Sequence, residues 1–81
     1  MLPRGLNLFY ADYIDVDTGY QYIEYVVGRN YDSAFKRWYK ETCSCFYVFD
    51  YYFYEIEDEE SINDFLECHE NIKAGIYPVR C

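Results

Sequence analysis

The chain has 81 residues and carries fifteen Asp and Glu against seven Lys and Arg, a net charge of −8. That length bounds it to a single domain spanning 1–81, and the charge excludes phosphate-driven binding of DNA, RNA or anionic lipid, which depends on Lys and Arg. A hydrophobic share of 52%, with twelve Tyr, six Phe and one Trp, excludes a disordered chain, and no run of about 18 apolar residues is present to span a membrane.

Residues 1–5 read as a lead-in. Met1 to Leu8 lacks the long apolar core of a signal peptide, so a cytoplasmic location with four reduced cysteines is expected. Leu6 to Val16 and Tyr20 to Val27 read as two strands joined by a three-residue loop, Asp17-Thr18-Gly19, with Gly19 supplying the positive φ. That loop sets Val16 opposite Tyr20, Ile14 opposite Tyr22, Asp12 opposite Glu24 and Tyr10 opposite Val26. The core face of this hairpin is then Phe9, Ala11, Tyr13, Ile23, Tyr25 and Val27. The other face gathers Tyr10, Asp12, Tyr20, Tyr22 and Glu24, two carboxylates among tyrosines, and is a candidate partner-binding patch.

Gly28-Arg29-Asn30 ends the hairpin. Tyr31 to Glu41 reads as a helix, with Asn30 or Asp32 as N-cap. Tyr31, Ala34, Phe35 and Trp38 form its apolar stripe. Lys36, Arg37 and Lys40 lie opposite, so that with Arg29 four of the seven basic residues fall between 29 and 40.

The stretch from Cys43 to Glu60 reads as a central strand running into a block of acid. Eight of the nine residues from Phe46 to Tyr54 are apolar or aromatic, and five of the six from Glu55 to Glu60 are acidic. A strand apolar on both faces is covered on both or awaits a partner. If Glu55, Glu57 and Glu59 continued the strand, alternate carboxylates would stand about 6.6–6.8 Å apart, close to twice the phosphate spacing along one DNA strand of about 3.4 Å. Glu55, Glu57, Asp58, Glu59 and Glu60 are therefore the first candidate partner-binding set.

Ser61 to Asp64 reads as a capping box opening a helix that runs to about Ala74, with Ile62, Phe65, Leu66, His69 and Ile72 inward and Gly75 as its stop. Ile76 to Arg80 suits a short edge strand, limited to an edge by Pro78. The order is ββαβα, with a possible short final β. The expected fold class is α+β in two layers, an antiparallel sheet of three to four strands with two helices on one face.

No catalytic constellation emerges. Cys43, Cys45, Cys68, His69 and Cys81 lack the knuckle spacing of zinc sites. Cys68 and His69 are adjacent on a helix, about 100° apart, and cannot face each other as a dyad. No phosphate loop, nucleophile elbow or dinucleotide fingerprint is present. The expectation is a protein without enzymatic activity, metal or cofactor.

Small size, excess Asp and Glu, abundant Tyr and no catalytic motif together resemble the phage-encoded inhibitors of bacterial defence, the anti-CRISPR and anti-restriction proteins. The resemblance is one of composition over the whole chain. It implies a partner that is a basic, nucleic-acid-handling complex, a CRISPR effector or similar nuclease, blocked by DNA mimicry or sterically in the cytoplasm of an infected bacterial host. The cluster of Arg29, Lys36, Arg37 and Lys40 departs from what a pure DNA mimic needs. Two other classes remain open: an assembly subunit that completes a partner's sheet through its aromatic strand, and a small metal-binding module.

Overall fold

The computed structural model describes residues 2–45 and 48–78, with side chains throughout except at 43–49 and 78. The elements are β1 (Asn7–Asp15), β2 (Gln21–Gly28), α1 (Tyr31–Cys45), β3 (Val48–Ile56), α2 (Glu59–Cys68) and β4 (Gly75–Pro78). They form one four-stranded sheet in the order β3-β1-β2-β4 with every neighbouring pair antiparallel. The α+β class, the antiparallel sheet and the element order are those the sequence indicates, including the short last strand at an edge. The rest of the expected final strand, 79–80, lies outside the described residues, as do Phe46 and Tyr47.

The hairpin register differs from expectation by one residue. Asp15 N–H bonds the Tyr20 carbonyl at 3.0 Å, which makes the loop four residues long, from Val16 to Gly19. The cause is local: the Asp15 carboxylate accepts the Asp17 N–H at 2.9 Å, an Asx turn that starts the reversal one position early. Gly19 does hold the positive φ, at 75°. Ala11 now opposes Glu24, and Asp12 opposes Ile23. A one-residue slip exchanges the faces of a strand, so β2 sends Tyr22, Glu24 and Val26 to the Phe9, Ala11 and Tyr13 side.

α1 covers that side. Ala34 and Trp38 are buried with Phe9, Ala11, Tyr13, Val26 and Phe53, and Phe35 packs against them, as the helical stripe indicated. Asn30 is the N-cap, its side chain accepting the Ser33 N–H at 2.9 Å. The helix continues past Glu41 to Cys45, and buried Thr42, one turn after Trp38, lengthens its inner stripe. Cys43 and Cys45, expected on a strand, are therefore helical.

The expectation that both helices share one face is not met. α2 packs on the opposite side, where Phe65 is buried with Leu8 and Val27 and Ile62 and Leu66 pack against them. The reason lies at the start of β1: Leu8 and Phe9 point to opposite faces and both are fully buried, so that end of the sheet needs cover on both sides. Nor is β3 central. Among the described residues it pairs only with β1 and lies at the edge, while β1 and β2 hold the middle. The register between β1 and β3 shifts between Ile14 and Asp15, where pairing passes from Asp50 to Val48.

α2 begins at Glu59 instead of after Ser61, because Asp58 is the N-cap and accepts the Ser61 N–H at 2.9 Å. It ends at Cys68, well short of Ala74. His69 leaves helical geometry at φ −134° and ψ 98°, and its ring lies 4.4 Å from Phe65 and 4.8 Å from Tyr77. The Tyr77 hydroxyl donates to the Lys73 carbonyl at 2.6 Å and ties the following loop to β4. Gly75, expected as the helix stop, opens that strand.

Candidate functional site: an acidic edge and an open aromatic sheet face

The acidic run does not form a regular row. Only Glu55 belongs to β3, which ends at Ile56; Glu57 and Asp58 are the connection, and Glu59 and Glu60 form the first turn of α2. The run is interrupted because helix capping takes the chain at Asp58. All five acids are exposed. Asp58 is held below the usual carboxylate range by its hydrogen bonds from Ser61, and Glu59 and Glu60 lie at the positive end of the α2 dipole. Three of the five thus have a local role in starting a helix, whereas Glu55 and Glu57 have none.

Two of the expected basic cluster are engaged within α1. Lys36 pairs with Asp32 at 3.0 Å and Arg37 with Glu41 at 3.8 Å, both one turn apart on exposed surface. Such pairs hold weakly, but they balance the charge on that helix. Among the described residues no cation pairs with Glu55, Glu57, Asp58, Glu59 or Glu60.

The second candidate patch is divided by the register. Tyr10 and Asp12 stay on the α2 face, Tyr22 and Glu24 move to the α1 face, and Tyr20 is exposed just outside β2. Glu24 is half-buried there, accepts a hydrogen bond from the Tyr13 hydroxyl, and does not meet Asp12. Burial raises its carboxyl above the ordinary range; the Tyr13 hydrogen bond opposes this, and the nearby Glu41 charge adds to it. Burial likewise pushes the Tyr13 hydroxyl far up, reinforced by Glu24. Asp12 instead accepts from the Gln21 amide at 2.7 Å.

The register brings together a set that sequence reasoning did not assemble. Tyr54, Tyr10, Tyr25 and Tyr77 form one row across all four strands of the α2 face. Tyr10 lies 5.1 Å from Tyr54 and 5.7 Å from Tyr25, ring centre to ring centre. Tyrosine spacing alone carried no signal for this; only the correct loop length in the hairpin aligns the row.

Among the described residues no group of three or more His, Cys, Asp and Glu is placed to hold a metal ion. Cys68 is an exposed free thiol; Cys81 and the side chains of Cys43 and Cys45 lie outside the described part. No helix among the described residues is long and apolar enough to cross a membrane.

Comparison of the chain with protein-family models, with characterised proteins and with solved structures finds no match.

Proposed function

We propose that this protein is a non-enzymatic inhibitor that binds a basic, nucleic-acid-handling protein complex, of the kind by which a phage blocks a CRISPR effector in the cytoplasm of its bacterial host. One observation carries the reading: the acids from Glu55 to Glu60 are exposed and, among the described residues, unpaired by cations, while Lys36 and Arg37 are engaged by Asp32 and Glu41. An anionic edge of this kind complements Lys and Arg that otherwise hold phosphate, and opposite fields speed association. The broken spacing of the acids favours a steric and electrostatic block over imitation of a regular phosphate row. The alternative of an assembly subunit has β3 at an open edge in its favour. Against it stands Tyr31, whose hydroxyl already occupies the Phe53 carbonyl on that strand.

The test is cleavage of target DNA by purified CRISPR effector complexes, with and without the protein. The informative variant is Glu55→Lys with Glu57→Lys, which leaves the Asp58 cap intact. Inhibition by the wild type that weakens with salt and is lost in the double variant supports the reading. Unaltered DNA loading and cleavage across the effector classes overturns it.

A further inference from the structure

We propose that the open half of the α2 face is a second docking surface, and that its occupant is an arginine-bearing segment of a basic protein. The inference rests on the reading that the partner is basic, and it names the surface and side chain through which such a partner is held.

The α2 face changes character along the strands. Ile56, Leu8 and Val27 align across three strands, and α2 covers this end through Phe65. In the following tyrosine row the cover runs out: Tyr25 and Tyr77 lie 5.2 and 5.5 Å from the Phe65 ring, whereas Tyr54 is 50% exposed. Beyond it come Tyr52, Asp12 and Ile23 in one row, then Asp50, Ile14 and Gln21 in the next. Tyr52 is 66% exposed and Ile14 36%, and no described element packs over them. A strand face that presents tyrosines and isoleucines to water in one contiguous patch marks a contact surface.

Charge selects the occupant. Every charged residue that the register places on this open half is an aspartate, Asp12 or Asp50. A nucleic acid would meet only like charge beside the rings. A second copy of the chain would bring its own Asp12 and Asp50 against the same pair. Among the described residues a cation is what the face lacks, and its chemistry distinguishes arginine from lysine. Asp12 and Asp50 stand diagonally across β1 and β3, about 7–8 Å apart, with Tyr52 directly opposite Asp12 and Asp50 two residues before it on the same strand. A guanidinium can lie flat on a tyrosine ring while its fork of N–H donors pairs with the neighbouring carboxylate; an ammonium cannot do both. The Gln21 amide occupies one oxygen of Asp12 at 2.7 Å and holds the carboxylate in place, with the other oxygen left for an incoming donor.

The probes are an oligoarginine and an oligolysine peptide of equal length, titrated into isotope-labelled full-length protein at matched ionic strength and followed residue by residue by NMR. The expected result is that amides of Asp12, Asp50, Tyr52 and Tyr54 move, that arginine binds about tenfold more tightly than lysine, and that Tyr52→Ala with Tyr54→Ala removes this preference while spectral dispersion stays native. Asp12→Asn with Asp50→Asn weakens both peptides. Shifts confined to Glu55–Glu60, equal affinity for the two peptides, or an unchanged preference in the tyrosine double variant overturns the proposal. So does a concentration-dependent doubling of mass that moves the same amides without peptide, because the occupant is then a second copy. The effector assay separates this from the reading it rests on. If Glu55→Lys with Glu57→Lys abolishes inhibition while arginine ignores the tyrosine face, only the second surface falls; if the wild type inhibits no effector, the parent reading falls whatever the peptides do.

Discussion

The hydroxyl of Tyr31, at the start of α1, donates to the backbone carbonyl of Phe53 in the middle of β3, at 3.1 Å. Because Asp15 N–H bonds Tyr20, odd-numbered β1 residues direct their backbone groups to β2 and even-numbered ones to β3. Tyr52 and Tyr54 therefore spend their backbone groups on β1, and Tyr51, Phe53 and Glu55 direct theirs toward the open edge. Tyr31 occupies one of these acceptors, a helix side chain guarding a strand edge.

The substitution Tyr31→Phe keeps the ring, which packs edge-on against Phe9 and Phe53, and removes only the donor. It is expected to cost about 0.5–1.5 kcal/mol of stability and to raise self-association relative to wild type, because the Phe53 carbonyl is freed for another strand. Denaturant unfolding and sedimentation velocity measure the two effects. Unchanged mass across concentrations would show that the hydroxyl does not protect the edge.

Gly28 sets how closely α1 approaches the sheet. A Cβ placed there would lie 2.9 Å from the Ala34 Cβ, and Ala34 has no flexible end to move aside. Gly28→Ala is expected to destabilise by about 1–3 kcal/mol, the usual range for overpacking. Ala34→Gly removes the opposing atom at a helix-propensity cost of about 1 kcal/mol. A double-mutant cycle by urea denaturation should therefore yield a favourable coupling between the two, and strict additivity would mean that α1 shifts freely.

Asp58 ties the acidic run to the fold. Asp58→Ala removes the acceptor of the Ser61 N–H, and faster hydrogen exchange is expected in the first turn of α2, with β1 and β2 unaffected. Asp58→Asn retains the cap and should restore most of that protection. If Asp58→Asn exchanges as fast as Asp58→Ala, the charge at the helix N-terminus matters more than the hydrogen bond.

How far the sequence reveals this molecule varies with the kind of pattern. The stripe Ala34, Phe35 and Trp38 and the edge strand at Pro78 follow from periodicity and from the proline ring. The hairpin register does not, because β2 is mixed aromatic and polar on both faces and no pattern penalises a slip. One carboxylate, that of Asp15, decides it. β3 looks central by composition, since residues 46–54 are almost wholly apolar, yet it is an edge strand: Phe53 and Tyr51 pack toward Trp38, while Tyr52 and Tyr54 remain open on the other face. The candidate patches follow the same logic. The acids at 55–60 are exposed as composition implies, whereas the pairing of Asp12 with Glu24 depended on the register and was lost with it.

The pH dependence of stability turns on Glu24 and Asp58, whose shifts have opposite sign. The folded-state pKa of Glu24 is raised, mainly by burial, so between its unfolded and folded pKa values the native state binds more protons than the unfolded chain. Stability contributed at this site therefore falls as pH rises through that window, and the cost of burying the charge is fully present above it. The folded-state pKa of Asp58 is lowered by its bonds from Ser61; its contribution is present above the unfolded pKa and is lost as pH falls through the folded one. The combined contribution of these two sites should rise on acidification as Glu24 takes up its proton, then fall as Asp58 is protonated. Glu24→Gln preserves an acceptor for the Tyr13 hydroxyl and removes the charge beside Glu41. It is expected to raise the melting temperature at neutral pH and to abolish the mild-acid rise, leaving the acid-side fall intact. Tyr13→Phe has the opposite effect: without its donor the Glu24 carboxylate is left less compensated, and the slope on the neutral side steepens. Melting temperatures measured across pH for wild type, Glu24→Gln and Tyr13→Phe provide the test, and a Glu24→Gln profile that parallels wild type from neutral to mildly acidic pH would show that Glu24 is fully ionised in the fold.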